Sequence, residues 1–463
     1  EFVQKSEYTC KSGYQTHTPS FIFNGFRYVY VEGITEEQAT EDLLTYMCLS
    51  SDFSDCGNFS CSDETVNKLQ EITRRSDRSC FVYFPNDCPQ REKNGWTADA
   101  ALSCEHTLLN FKPEKSYIEW LRNIVYAQNE AGAFPGIVPT GGWGFSWGNG
   151  PAWDQVLLEL PYRIYQYRGT TEAIEICAPA IYRYILYINS RRDTDGLIAI
   201  GLGDWCHIGY NGSKQAPLIL TDSIISMEIF RKAAFMLKVI GDQKAYKTAE
   251  NLYGSMRESI RNKAMAIFYG VFDESEKSAA LKVLLNQITA ADNHMDVGVL
   301  GGRILFHVLS ENGEADLAYE MITRPDFPSY GNWIKRGATT LWEDFPVEGG
   351  YVHSLNHHFW GDISHWFISA IAGICVNPNA DDITYFEVKP NFVEKLQNAS
   401  AWHDAPCGKI SVSWERTGEN TVELAIEASK AMHGKIVLPE GYKFADGSTS
   451  KILTSGNFSL SAS

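Results

Sequence analysis

The sequence lacks several features that would place the protein in a familiar class at once. It has no run of about 18 or more apolar residues, so no membrane-spanning helix is expected. Neither a G-x-S-x-G turn nor a P-loop occurs, which disfavours a serine hydrolase or a nucleotide-dependent enzyme. Positive charge is scarce, because 40 Lys and Arg stand against 57 Asp and Glu, a formal net charge of −17. This balance argues against nucleic acid or an anionic membrane surface as the partner.

Metal-binding and disulfide patterns are also missing. The 11 cysteines are odd in number and scattered without a C-x-x-C pair, so we expect mostly free thiols. No H-E-x-x-H pattern accompanies the adjacent His357 and His358, and the sequence therefore predicts no metal and no other cofactor. The chain begins Glu1-Phe2 without a methionine, which indicates a processed or truncated chain. We expect a soluble protein, cytoplasmic, periplasmic or secreted in a bacterium, and the sequence leaves its oligomeric state open.

What the sequence does contain divides into three parts. Residues 1–55 have strand-like runs on both sides of Asn24-Gly25, a hairpin signal, and we interpret them as the end of a truncated β-sandwich. From Ser62, a candidate N-cap, helical periodicity recurs, and residues 56–376 are about the right size for an (α/α)6 toroid. Residues 377–463 alternate again and predict a C-terminal antiparallel β-sandwich. The predicted fold is therefore mainly α, flanked by β structure.

Acidic and tryptophan residues gather on loops between the predicted helices. Trp and a carboxylate are neighbours in Trp153-Asp154, Asp204-Trp205 and Trp342-Glu343, and Trp96 precedes Asp99 by three positions. A Trp face can stack on a sugar ring while a carboxylate accepts hydrogen bonds from the hydroxyls of the same ring. These loops, Phe134–Trp153, Gly201–Gly212 and Ser329–Val352 among them, therefore predict a carbohydrate site.

The richest stretch is the loop at residues 87–99, Asp-Cys-Pro-Gln-Arg-Glu-Lys-Asn-Gly-Trp-Thr-Ala-Asp. Its three carboxylates are spaced too irregularly to form one solvated helical face. A plainer interpretation is a polar loop in which Asp99 caps the following helix. Glycosidic cleavage requires one protonated acid and one ionised carboxylate, and this loop supplies candidates for both.

This stretch closely resembles the signature loop of the α-L-rhamnosidases of glycoside hydrolase family 78. Ala338-Thr339-Thr340-Leu341-Trp342-Glu343 and Ser354-Leu355-Asn356-His357 are similar to later motifs of that family, and the resemblance covers nearly the whole chain. The sequence departs from the family pattern at Lys93-Asn94, where the family often has two or three residues that commonly include Arg and Leu.

The resemblance implies an (α/α)6 barrel that removes terminal α-L-rhamnose with inversion. It implies that Glu92 is the general acid and Glu343 the general base that activates water. We expect further substrate contacts from a wider set of residues: Asp87, Arg91, Trp96, Asp99, Trp153, Asp154, Asp204, Trp205, Trp333, Trp342 and His357. Two alternatives stay open, another (α/α)6 glycosidase with a different sugar and a non-catalytic carbohydrate-binding protein.

Overall fold

The computed structural model describes residues 4–145, 147–208, 216–261 and 273–462. Residues 209–212 of the predicted loop Gly201–Gly212 and Ser146 of the loop Phe134–Trp153 lie outside these ranges. Among the described residues, no helix is long and apolar enough to cross a membrane.

Helices fill the middle of the chain, as the periodicity predicts. They are α1 (Glu64–Ser79), α2 (Thr97–Asn110), α3 (Glu114–Ala127), α4 (Pro151–Asp154), α5 (Val156–Arg168), α6 (Glu172–Ser190), α7 (Leu218–Val239), α8 (Gln243–Arg261), α9 (Glu274–Ala290), α10 (Val299–Glu311), α11 (Ala315–Thr323), α12 (Tyr330–Lys335) and α13 (Asp362–Trp366), the last continued by a π-helical turn, Phe367–Ile371. Every residue of α2 is buried, so this helix runs through the interior of the helical domain.

The predicted helix starts need two corrections. The N-cap of α1 is Asp63, not Ser62, since the Asp63 carboxylate accepts the Thr65 and Val66 backbone N–H groups. Asp99 does not cap α2 either. It lies in the first turn of that helix, which begins at Thr97, and its carboxylate bonds to a distant side chain described below.

Two sheets form the C-terminal part. The strands of the chain are β1 (Gly57–Cys61), β2 (Phe81–Val82), β3 (Phe84–Pro85), β4 (Ile374–Val376), β5 (Tyr385–Val388), β6 (Asn398–Ala405), β7 (Gly408–Gly418), β8 (Thr421–Ala428), β9 (His433–Val437), β10 (Tyr442–Phe444), β11 (Ser450–Ile452) and β12 (Gly456–Ala462). A six-stranded sheet has the order β1-β6-β7-β8-β12-β10, and a four-stranded sheet has the order β11-β9-β5-β4. Pairing is antiparallel except between β5 and β9, which run parallel.

The six-stranded sheet is built into the helical domain. Its edge strand β1 comes from the start of the helical region and pairs with β6 from Gly57–His403 to Cys61–Ala399. The Trp414 indole N–H donates to the Ile371 carbonyl, 3.0 Å away, so a strand near the middle of the sheet is anchored to the end of the last helix.

The predicted N-terminal hairpin is not formed. Residues 4–54 are irregular, with several bends, one short 3₁₀ turn, Glu36–Gln38, and no strand. Phe21, Tyr28 and Tyr30 are largely exposed. A strand-forming segment needs neighbouring strands with which to pair, because an isolated hairpin is at best marginally stable. The segment Asn24-Gly25 instead contacts the loop at residues 87–96.

Candidate active site

The loop between β3 and α2 is closed by its own backbone and side chains. The backbone N–H of Asp87 donates to the Asn94 carbonyl, and one Asp87 carboxylate oxygen accepts the Asn94 N–H at 2.8 Å. The other oxygen accepts the Cys88 thiol at 2.6 Å. Burial raises the pKa of Asp87 to about 7, with the Asp99 and Glu92 charges adding to that effect. Both Asp87 oxygens therefore shape the loop that carries Glu92.

Glu92 is oriented by the tryptophan that begins the next helix. Its Oε2 accepts the Trp96 indole N–H at 2.7 Å. Its backbone N–H donates to the Cys88 sulfur at 3.2 Å, which fixes the main chain at the same residue. The opposite oxygen, Oε1, stays free of Trp96 and lies 3.7 Å from Arg91 Nη1.

Glu343 reaches the same guanidinium from a distant loop. Arg91 Nη1 lies 3.4 Å from Glu343 Oε2, so one guanidinium stands between the two predicted catalytic carboxylates. These distances put Glu92 Oε1 and Glu343 Oε2 at most about 7 Å apart. This bound includes the roughly 5–5.5 Å separation of retaining glycosidases and the lower end of the roughly 6.5–9.5 Å range of inverting ones. The Glu343 backbone is held on both sides, since its N–H donates to Ser354 and its carbonyl accepts the Trp360 indole N–H at 2.8 Å.

His357 lies between Glu343 and Asp99 of α2. Its Nε2 lies 2.7 Å from Asp99 Oδ1, and its Nδ1 lies 3.9 Å from Glu343 Oε2. Burial lowers the pKa of His357, but the Asp99 carboxylate outweighs this effect and holds the pKa well above its usual range. Burial raises the pKa of Glu343, while the charges of His357 and Arg91 oppose that rise. A cation on either side therefore stabilises the ionised form of Glu343.

The loop after α6 also approaches this centre. Burial and the charges of Glu343, Asp344 and Asp99 raise the pKa of Cys206, which places the thiol near those acids. The neighbouring Trp205 is 42% exposed and has a face open for contact. Asp204 instead caps α10, because its carboxylate oxygens accept the backbone N–H groups of Gly298 and Leu300 at 2.9 and 2.8 Å.

Several predicted contact residues are packed away from this centre. Trp333 is fully buried, stacks on Phe345 at 4.2 Å and donates its N–H to the Asp344 carbonyl, so it has no face for a sugar. Trp342 is nearly buried beneath the Arg336 guanidinium.

The pair Trp153-Asp154 is buried as well. The Asp154 carboxylate accepts the Gly150 N–H and the Tyr184 hydroxyl, and burial raises the pKa of Asp154 to about 8. In the part of the chain that the structure describes, the indole N–H of Trp153 has no hydrogen-bond acceptor.

Two groups of side chains have ligand atoms close enough for a metal ion. The first is Asp87, Cys88 and His357, and the second is His307, Asp362 and His365. In the first group Cys88 donates its proton to Asp87 and His357 is paired with Asp99. Burial raises the pKa of the Cys88 thiol, which disfavours the thiolate that a metal needs.

Sequence reasoning did not select two exposed tryptophans that contact Trp96. Trp143 and Trp147 are 47% and 43% exposed, and both rings contact the ring of Trp96. The predicted Gly- and Trp-rich loop contains them, but neither has a neighbouring carboxylate, the pattern that selected the other tryptophans.

Comparison with known proteins identifies the class first. The fold is similar to that of an α-L-rhamnosidase from Dictyoglumus thermophilum, with a TM-score of 0.81 and 24% identity over 89% of this chain and 51% of that chain. It is also similar to a Streptomyces avermitilis α-L-rhamnosidase solved with L-rhamnose, with a TM-score of 0.80 and 22% identity over 89% of this chain and 43% of that chain. Residues 54–371 match the family described as the bacterial alpha-L-rhamnosidase 6 hairpin glycosidase domain, and the helical domain is thus a six-hairpin glycosidase domain.

The chain belongs to the bacterial α-L-rhamnosidase family. Residues 376–452 match the C-terminal domain of bacterial alpha-L-rhamnosidases, and residues 2–49 match their concanavalin-like domain. An α-L-rhamnosidase from Alteromonas sp. (strain LOR) is 27% identical over 95% of this chain and 51% of its own length. One from Formosa agariphila is 27% identical over 90% of this chain and 48% of its own length. The chain thus spans about half the length of these relatives.

Proposed function

We propose that this chain hydrolyses terminal α-L-rhamnosides with inversion, Glu92 acting as general acid and Glu343 as general base. The observation that carries the proposal is the convergence of Glu92 and Glu343 on one guanidinium, that of Arg91, from loops about 250 positions apart. Paired carboxylates on opposite sides of a sugar are what glycosidic hydrolysis requires. Membership of the bacterial α-L-rhamnosidase family supports rhamnose as the sugar.

In this mechanism Glu92 delivers its proton from Oε1. Trp96 holds Oε2 by its indole N–H, so the acid has one defined oxygen for the leaving group. Glu343 accepts a proton from water on the opposite face of the sugar, and the cations His357 and Arg91 keep it ionised before the reaction. Arg91, Asp99 and Trp205 are the remaining groups that we assign to the sugar itself, together with Asp87 at the base of the acid loop.

The organisation of the chain is part of the proposal. We assign residues 1–55 to the end of a β-sandwich, residues 56–376 to an (α/α)6 catalytic domain and residues 377–463 to a C-terminal β-sandwich. Matches to a concanavalin-like domain at residues 2–49 and to the family's C-terminal domain at residues 376–452 support the outer two assignments.

A panel of nitrophenyl glycosides tests the activity, with the product anomer identified by NMR in the first minutes of reaction. We expect release from the α-L-rhamnoside only, with β-L-rhamnose as the first product. Release from a different glycoside would change the sugar, and α-L-rhamnose as the first product would indicate a retaining mechanism. Binding of rhamnose without any release would make the chain a carbohydrate-binding protein.

A further inference from the structure

A pair of exposed tryptophans stands next to the proposed acid. Trp143 and Trp147 stack on each other with ring centroids 5.4 Å apart and an interplanar angle of 29°. Nearly half of each side chain is exposed, and Phe145 between them in sequence is 38% exposed. Large aromatic side chains left together on a surface loop usually mark a contact surface for a ligand or partner. We call Trp143 and Trp147 the aromatic platform.

The loop that carries the platform is fitted closely to Trp96. Gly148, which follows Trp147, has a φ of +72°, and a Cβ atom there would lie 2.5 Å from the Trp96 ring. Only glycine allows both this backbone conformation and this approach. At the other end of the loop, the backbone N–H of Trp143 donates to the Thr140 carbonyl and the backbone N–H of Gly144 donates to the Thr140 hydroxyl. The platform is therefore positioned against Trp96 from both sides.

Trp96 connects the platform to the acid. Its ring centroid lies 5.9 Å from that of Trp143 and 5.4 Å from that of Trp147, while its indole N–H donates to Glu92. The contact with Trp147 is edge-to-face at 73°, a favourable geometry for aromatic rings. A general acid stands beside the oxygen of the departing group, and the base stands on the opposite face of the sugar. The platform therefore lies on the acid's side, where the leaving group has to be.

We propose that Trp143 and Trp147 form a subsite for the leaving group of the glycoside and bind a neutral ring with a flat apolar face. Such a ring is either a pyranose or a phenol, since both can stack on an indole face. The inference rests on the proposed rhamnosidase activity and extends it to the group attached to the rhamnose. Stacking there places the leaving oxygen beside Glu92 and gives the enzyme selectivity for substrates whose leaving group contains a ring.

The test compares three substrates that share rhamnose and differ in the leaving group. α-L-Rhamnosyl fluoride loses a single atom that reaches no ring, nitrophenyl α-L-rhamnoside loses a phenol, and a rhamnosyl-glucose disaccharide loses a pyranose. Trp143→Ala and Trp147→Ala should each lower the kcat/KM ratio of a ring-bearing substrate to the fluoride by about tenfold. Trp143→Phe and Trp147→Phe keep a stacking face and should restore most of that ratio. Trp402→Ala, in β6 of the C-terminal sheet, is the matched control.

The outcomes separate the subsite from the activity. A lowered ratio for the nitrophenyl substrate alone assigns the subsite to a phenol, and a lowered ratio for the disaccharide alone assigns it to a pyranose. Ratios that equal those of the parent and of Trp402→Ala for both substrates would overturn the subsite while the activity stands. A parent protein that releases neither fluoride nor nitrophenol would overturn the proposed function, and the subsite with it.

Discussion

His357 joins Asp99 and Glu343, with Nε2 2.7 Å from Asp99 Oδ1 and Nδ1 3.9 Å from Glu343 Oε2. The acid in the first turn of α2 therefore acts on the proposed base through an imidazolium. Asp99→Asn removes the largest effect that opposes burial at His357, so the pKa of His357 would fall and the positive charge beside Glu343 would be reduced. The pKa of Glu343 should then rise further. We expect the acidic limb of the kcat/KM profile to move to higher pH.

The measurement is kcat/KM for nitrophenyl α-L-rhamnoside at closely spaced pH values. Asp381→Asn, at an exposed position in the C-terminal part, is the control and should keep the parent profile. A profile of Asp99→Asn that matches the parent in shape, whatever its height, would mean that Asp99 does not act on Glu343 through His357.

Removing either proposed catalytic carboxylate should abolish most turnover. Glu92→Gln cannot deliver a proton and Glu343→Gln cannot accept one, so we expect kcat to fall roughly 10²- to 10⁴-fold in each. Both side chains are partly exposed, and glutamine preserves their volume, so the melting temperature should change little. The exposed Glu348, close to Glu343 in sequence, gives the control Glu348→Gln. If either catalytic variant retained a near-parent rate, the role assigned to that residue would be wrong.

The N-terminal segment should affect catalysis through the acid loop. The Gly25 N–H donates to the Pro89 carbonyl at 3.1 Å, and the Lys93 ammonium contacts the Phe23 carbonyl at 2.6 Å. A Cβ at position 25 would lie 2.9 Å from the Cβ of Gln90, two residues before Glu92. Gly25→Ala should displace the loop and lower kcat/KM by roughly 3- to 30-fold, because catalysis is sensitive to small misplacements of a reacting group.

Steady-state kinetics and thermal unfolding distinguish this positioning effect from general damage. Gly254→Ala in α8 has nothing within 4 Å of the added atom, and it should match the parent in both measurements. For Gly25→Ala we expect lower kcat/KM with a nearly unchanged melting temperature. Parent-like kinetics would show that the contact does not position Glu92.

Asp154 should make the protein less stable as the pH rises. Burial raises the pKa of Asp154 in the folded chain to about 8. The contribution of the neutral Asp154 carboxyl to the free energy of unfolding is therefore fully present below about pH 4 and is lost as the pH rises through about 8. Asp154→Asn stays neutral and keeps an acceptor oxygen for Gly150 and Tyr184. It should reduce the fall in unfolding free energy between about pH 4 and pH 8 by roughly 1–3 kcal/mol.

Urea unfolding at the two pH values provides the check. Some pH dependence should remain, because burial also raises the pKa of Asp222 to about 8 and that of Asp87 to about 7. An Asp154→Asn variant whose unfolding free energy differs from the parent by the same amount at both pH values would exclude the ionisation of Asp154 as a cause.

The sequence predicts the helical domain well because its periodicity is local. The helical pattern covers Ala100–Asn110, Glu114–Glu130 and Glu172–Asn189, and α2, α3 and α6 lie close to these ranges. The predicted N-terminal hairpin is absent from residues 4–54, because pairing depends on partner strands that the periodicity of one segment does not contain. The parallel pairing of β5 with β9 is likewise decided by tertiary packing. The residue pattern of a strand does not indicate whether its neighbour runs parallel or antiparallel.

The candidate site is likewise predicted only in part by the sequence. The 87–99 motif indicates the loop that carries the proposed acid. Burial decides which tryptophans can contact a ligand, and a Trp-acid pair in sequence carries no information on burial. Trp333 is in the core and Trp143 is half-exposed, although the sequence alone favoured the former. The sequence predicts Asp204 as a sugar ligand, but in the structure this residue caps α10. That helix lies more than ninety positions later, so the residues around Asp204 do not indicate the contact.

We expect the pairing of β1 with β6 to make the helical and C-terminal parts of the chain unfold together. It precedes α1 by only a few residues and forms the edge of the six-stranded sheet by pairing with β6. A chain cut after residue 376 would leave β1 with an unpaired edge. It would also remove the buried His403 ring, whose Nδ1 lies 3.0 Å from the Leu109 carbonyl, and so expose that carbonyl at the end of α2. The C-terminal sheet should therefore fold together with α2, the helix that carries Asp99. A fragment without this sheet should unfold less cooperatively, although it retains every residue of the site.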